Sequence, residues 1–134
     1  MPITELPSRA VLLWRGITRR CPWCGDRRAY FNGWFKRHAR CRRCARGYRR
    51  GDVGFELGAI TANIILTFGA ILIAIVVTVV AGAPVMVVVG VGAAIALIGP
   101  ALFYPVSFTL WQAIDLSMRP PTAAELAGTT DARL

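Results

Sequence analysis

From Leu57 to Ile114 the chain carries no Asp, Glu, Lys or Arg, a run of 58 residues in a chain of 134. A helix needs about 20 apolar residues to cross a hydrocarbon core of about 30 Å, so this run has room for two crossings. Ala81-Gly82-Ala83-Pro84 interrupts it near the middle, pairing helix-weakening glycine with proline. The pattern predicts a transmembrane hairpin, with one helix over 57–80 and a second over 85–107. The alternative is a buried helix pair in a soluble domain. It fails for want of cover, because too little polar chain remains to enclose such a core.

Charge is concentrated before the apolar run. Residues 1–56 hold 14 of the 16 Lys and Arg, and Arg119 follows the second predicted helix. Basic residues stay on the cytoplasmic side, which predicts both termini cytoplasmic and the turn at 81–84 facing out. The chain opens without a basic segment leading into a long apolar one, so no cleaved export signal is expected. Phe103, Tyr104, Phe108 and Trp111 fall in the predicted juxtamembrane region, 108–121 and just before it, where aromatic rings favour the interface. Small residues recur at packing intervals, with Gly58, Ala62 and Gly69 on one helix and Gly92, Ala96 and Gly99 on the other. Such stripes let helices approach closely, within one chain or in a homo-oligomer. Asn63 is the strongly polar side chain well inside the first helix. We expect its amide to bond the carbonyl of Ala101, which Pro105 leaves without a helical partner, or else Tyr104.

All four cysteines lie ahead of the hairpin, as Cys21-x2-Cys24 and Cys41-x2-Cys44. Two such pairs at this separation are the spacing of a closed four-thiolate metal site. Zinc is the favoured ion, with a rubredoxin-type iron the alternative that spacing does not separate. His38 is a weaker candidate ligand beside a complete cysteine set. Lone redox pairs need only one CxxC in a βαβ setting, which this chain lacks. Asn32-Gly33 sits midway between the pairs, flanked by Ala29-Tyr30-Phe31 and Trp34-Phe35. That reads as a β-hairpin and gives residues 21–50 a zinc-ribbon-like head. So small a head needs the metal to fold.

Arginines surround this head. Arg19, Arg20, Arg42, Arg43, Arg49 and Arg50 read as a collar for anionic lipid heads; nucleic acid is the less favoured partner. Within residues 1–20, Ser8 starts a short helix with Ala10, Leu13, Trp14 and Ile17 on one face, suited to the membrane interface or to packing on the head. Residues 122–134 read as a disordered tail. Glu56 and Asp115 flank the helices and read as solvated or paired, Asp115 with Arg119, rather than catalytic.

Leu13-Trp14-Arg15-Gly16, Arg20-Cys21-Pro22-x-Cys24-Gly25, Trp34-Phe35-Lys36, the second CxxC and the short-looped helix pair together resemble the bacterial family called domain of unknown function (DUF) 983. Gly54-Phe55, Asn63, Phe103-Tyr104-Pro105 and the stretch from Trp111 to Pro120 resemble its actinobacterial branch. Ala45 and Glu56 depart from the family's usual glycine and aromatic. The resemblance covers about residues 11–121 and implies an accessory role at the membrane, since some members are encoded near genes for cytochrome oxidase assembly. It implies no catalytic residues. The expected function is a membrane-anchored, non-catalytic adaptor with a membrane-protein partner. A metal or redox assembly factor for a respiratory complex such as cytochrome oxidase is the alternative.

Overall fold

A computed structural model of the chain describes residues 6–28, 30–50 and 53–126. Among the described residues there are four helices: α1 (Arg9–Ile17), α2 (Phe55–Val80), α3 (Val85–Met118) and the single turn α4 (Ala123–Leu126). Helices α2 and α3 are long and apolar enough to cross a membrane, and only 6% of the most apolar stretch of each is buried. Core helices of a water-soluble domain would be mostly covered. These instead show their aliphatic side chains outward, which water penalises and lipid does not. Between them the chain turns at Gly82, whose φ of +71° is a conformation favouring glycine. Pro84 then caps α3 in extended geometry.

The second helix does not stop near residue 107. It runs unbroken through Pro100 and Pro105 to Met118, 34 residues in all. At about 1.5 Å per residue it is about 51 Å long, some 20 Å more than a hydrocarbon core. Its last third is therefore a post standing clear of the apolar span, and the head is built around it. A proline in mid-helix costs a hydrogen bond unless another donor serves the freed carbonyl. Here the Trp34 indole Nε1 donates to the Ala101 carbonyl at 2.6 Å. The head thus supplies the bond that Pro105 removes. Asn63 takes the neighbouring acceptor, its Nδ2 donating to the Pro100 carbonyl at 2.9 Å, while the Thr67 hydroxyl donates to Asn63 Oδ1 at 3.4 Å. The interhelical bond is the kind expected of Asn63; its acceptor is one residue away because Trp34 already holds Ala101.

Only parts of the small-residue stripes are used in close packing. A Cβ on Gly99 would meet Thr67 Cγ2 at 3.1 Å, but Gly69 and Gly92 face open space. At the head end the fit is tighter, for a Cβ on Gly58 would lie 2.0 Å from the Trp111 ring. Gly58→Ala should therefore destabilise the hairpin by about 1–3 kcal/mol, as overpacking does. The same change at Gly69 should be neutral or stabilising, by up to about 1 kcal/mol of helix propensity. Thermal unfolding of the two variants in detergent checks the opposite signs.

No β-strand forms among the described residues. Two isolated antiparallel bridges remain, Phe31 with Arg37 and Arg40 with Gly47. The ribbon hairpin expected around Asn32-Gly33 is therefore corrected to a wider loop. Phe31 and Arg37 pair across it, with the Asn32 N–H donating to the Lys36 carbonyl at 2.8 Å. Gly33 takes a φ of +99° while Asn32 does not join it at positive φ, so the two-residue turn that needs both is not made. The physical cause is the pull of Trp34 toward α3.

Helix α1 lies across the post. Leu12 and Gly16 are its buried residues. A Cβ on Gly16 would press Ala113 Cβ at 2.9 Å, and the Thr109 hydroxyl donates to the Gly16 carbonyl at 2.6 Å. Of the two uses expected for the apolar face, the membrane interface or packing on the head, the packing is made by other residues. Ala10, Leu13, Trp14 and Ile17 stay exposed. Beneath the head, Phe31, Tyr48, Phe55, Tyr104 and Phe108 form one aromatic cluster with ring centroids 5.1–6.5 Å apart, and the Arg37 guanidinium lies 4.2 Å from the Phe108 ring centre. Tyr104 and Phe108 therefore join head to hairpin.

Candidate metal centre

The two CxxC segments make matching turns. In the first, the Cys21 N–H bonds the Asp26 carbonyl at 2.9 Å and the Gly25 N–H bonds the Cys21 carbonyl at 2.8 Å; in the second, Cys41 to Arg46 and Ala45 to Cys41 repeat both bonds at 2.9 Å. The turn requires a left-handed residue after the second cysteine. Gly25 supplies it with φ +77°, and Ala45 adopts +57° despite its methyl group. The departure at Ala45 leaves the knuckle intact at the cost of local strain.

All four Sγ atoms lie within 4.8 Å of one another, and the Cys21–Cys44 and Cys24–Cys41 separations are both 3.8 Å. A tetrahedral ion with metal–sulfur bonds of about 2.3 Å has sulfur–sulfur edges of about 3.8 Å. The donor set therefore fits a metal bound wholly by protein. His38 is not in the cluster, which consists of the cysteines alone.

Electrostatics point the same way. Hydrogen bonding to Cys21 lowers the Cys24 thiol to about 7, and bonds to Cys21 and Cys44 lower Cys41 to about 2. Cys44 is lowered by Cys21 but raised more by Cys41 and burial, ending at about 12. Cys21 is raised by its bonds to Cys24, Cys41 and Cys44 and by burial. Sulfurs this close share protons because four bare thiolates would repel one another; a divalent cation removes that conflict.

Supports reach the cluster from three directions. From α1, Arg15 Nη1 donates to the Pro22 and Trp23 carbonyls at 3.1 and 3.2 Å, bracing the first knuckle. From the second knuckle, the Arg46 guanidinium stacks 4.3 Å from the Trp23 ring and donates to the carbonyls of Glu125 and Leu126. From the post, buried Gln112 Nε2 donates to the Tyr30 hydroxyl at 2.7 Å, and that oxygen lies 3.7 Å from Cys21 Sγ. Burial first, and then negative charge on the cysteine cluster beside it, holds the Tyr30 hydroxyl well above its ordinary pKa, so its proton stays on the oxygen. Arg15 falls in the Leu13-Trp14-Arg15-Gly16 motif and Tyr30 in the expected hairpin, but the sequence pattern assigned neither them nor Arg46 a role in supporting the metal site. Gln112 was not singled out, although a polar amide in an uncharged run was a signal.

The arginine collar is divided in use. Arg50 is 11% exposed and bonds Asp115 at 2.9 Å and both oxygens of Glu125 at 2.9 and 3.0 Å; its Nη1 also donates to the Arg119 carbonyl. Arg119 pairs with Asp115 at 3.2 Å, the i,i+4 partner expected for it. Arg49 and, at 3.9 Å, Arg37 pair with Glu56. Arg19 and Arg20 line an open cavity with Phe31 and Trp34, and Arg42 and Arg43 are exposed on the second knuckle. The predicted disordered tail begins ordered, with Thr122–Leu126 docked through Arg46 and Arg50; residues 127–134 lie outside the described residues.

Together these features define a small helical-hairpin protein carrying a four-cysteine metal-binding head. The chain belongs to the protein family of unknown function DUF983, whose model matches residues 31–115. That span contains the second cysteine pair, the hairpin and most of the post, while Cys21 and Cys24 precede it. No curated protein and no solved structure matches the chain.

Proposed function

We propose that the chain is a membrane-anchored, non-catalytic adaptor whose zinc-clamped head presents a rigid cytoplasmic docking surface. The observation that carries this reading is the closed donor set: Cys21, Cys24, Cys41 and Cys44 fill a tetrahedron, leaving no position for substrate or water. Braces from α1, α3 and α4 suit a fixed shape better than a reacting centre. The Arg excess before α2 supports a cytoplasmic head, and the partner is a membrane protein beside it in the bilayer.

One observation favours a second reading, a metal or redox assembly factor for a respiratory complex. Cys24 and Cys44 are only half-buried, so one edge of the tetrahedron faces outward. The purified chain separates the two. An adaptor holds one zinc per chain, takes up no copper, and loses head structure when a chelator removes the ion. Metal that exchanges readily with the head intact, or cysteines that oxidise reversibly, would reject the adaptor in favour of the assembly factor.

A further inference from the structure

Four arginines, Arg19, Arg20, Arg27 and Arg28, line an open cavity of about 710 Å³ floored by Phe31 and Trp34, and no carboxylate lines it. By contrast Arg37, Arg49 and Arg50 are neutralised by Glu56, Asp115 and Glu125. None of these four has an ion pair among the described residues. Arg19 is held in place: its backbone takes a φ of +58°, its Nη2 donates to the Gly33 carbonyl at 3.3 Å, and its guanidinium stacks 4.4 Å from the Trp34 ring. A strained, fixed arginine beside three unpaired ones is a built anion site rather than a solvated charge run.

Depth identifies the anion. Counting from Val85, a core of about 30 Å ends near Pro105, about 20 residues on. Trp34 is bonded to Ala101, inside that last turn. The cavity therefore opens at the boundary between acyl chains and headgroups. Trp34 and Phe35 beside it are 40% and 62% exposed, and Trp14 and Ile17 of α1 are 65% and 53% exposed, all apolar surface suited to that layer. By contrast the second knuckle is tied through Arg46 to the carbonyls of Glu125 and Leu126, and Arg42 and Arg43, exposed on it, do not line the cavity.

We propose that Arg19, Arg20, Arg27 and Arg28 bind the phosphate of an anionic phospholipid headgroup, with Trp34 seated at its glycerol level. This rests on the reading of the chain as membrane-anchored. The chemistry recognised is a phosphate oxyanion; the depth of the site assigns it to lipid rather than to a free anion.

The test uses the full chain in detergent, titrated with short-chain phosphatidylglycerol or phosphatidylcholine and read by native mass spectrometry. Arg27→Gln/Arg28→Gln removes two exposed, unpaired side chains, and Arg42→Gln/Arg43→Gln removes the same charge from the distal knuckle. Metal content verifies that both fold. The first pair should weaken phosphatidylglycerol binding roughly thirty-fold, the equivalent of about 1 kcal/mol for each residue. The distal pair, which does not line the cavity, should act only through solvent-screened charge and change it by less than about three-fold, with phosphatidylcholine unaffected by either. Equal losses for both pairs would make the effect diffuse charge and overturn the site. Displacement of the lipid by millimolar inorganic phosphate, or tighter binding of a single-stranded oligonucleotide, would also overturn the lipid assignment. Flotation with phosphatidylcholine liposomes tests membrane anchoring separately, so failure of one reading is distinguishable from failure of the other.

Discussion

Cys41→Ser is expected to unfold the head while leaving the hairpin helical. The described residues of the head between α1 and α2 contain no strand, only two isolated bridges, so backbone pairing contributes little there. Its interior is the cysteine cluster plus Trp23, Tyr30 and Phe31. Structural metal binding supplies on the order of 10 kcal/mol to small domains of this kind, comparable with the whole stability of an ordinary domain. Cys41 is the right cysteine to change because it is 2% exposed and its thiolate is strongly favoured. A serine there leaves a polar oxygen that holds the metal poorly. Trypsin should then cut at Arg27, Arg28, Arg42 and Arg43 at least about a hundred-fold faster, since proteolysis follows the open population. Far-UV circular dichroism should keep most of its helical signal, because lipid or detergent, not the head, solvates α2 and α3. Unchanged protease resistance would show that the head folds without its clamp.

How much of this was legible beforehand depends on the range of the interaction. The cysteine set and the two helices are local patterns, and periodicity and spacing carried them. The expected second helix had a bilayer's length, 85–107, whereas α3 runs on to Met118 as the post the head packs against, and its passage through Pro105 is helped by Trp34, a donor 67 residues away. Similarly, Asn32-Gly33 is a strong turn signal in isolation, yet the loop answers to α3. The arginines show the limit most clearly. Nothing in one sequence distinguishes Arg50, whose partner Glu125 is 75 residues distant, from Arg28, which has no ion pair among the described residues.

Arg50→Met should cost about 3–5 kcal/mol, the largest effect of any single charge in the head. Asp115 is 8% exposed and Glu125 17%, so removing the guanidinium takes the arginine partner from one poorly solvated carboxylate, Glu125, and one of two from the other. Arg119 still serves Asp115, so the loss should fall mainly on Glu125 and undock α4. The hydrogen bond from Arg50 lowers the Glu125 pKa, and Arg50 itself, though burial works against its charge, is raised by Glu125 and Asp115. Because Glu125 binds a proton less readily folded than unfolded, its contribution is complete above the ordinary carboxylate pKa. It is lost as pH falls through the lower, folded value. Denaturation of the parent should therefore show a stability loss in acid that Arg50→Met lacks. Arg50 also holds φ at +48°, a conformation that costs a non-glycine residue about 1–2 kcal/mol. Arg50→Gly separates the two effects. If strain dominated, glycine would stabilise the head. If the ion-pair network dominates, glycine should still destabilise it, by about 1 kcal/mol less than methionine does. The magnitudes favour the network, because leaving Glu125 without its arginine costs more than the strain releases.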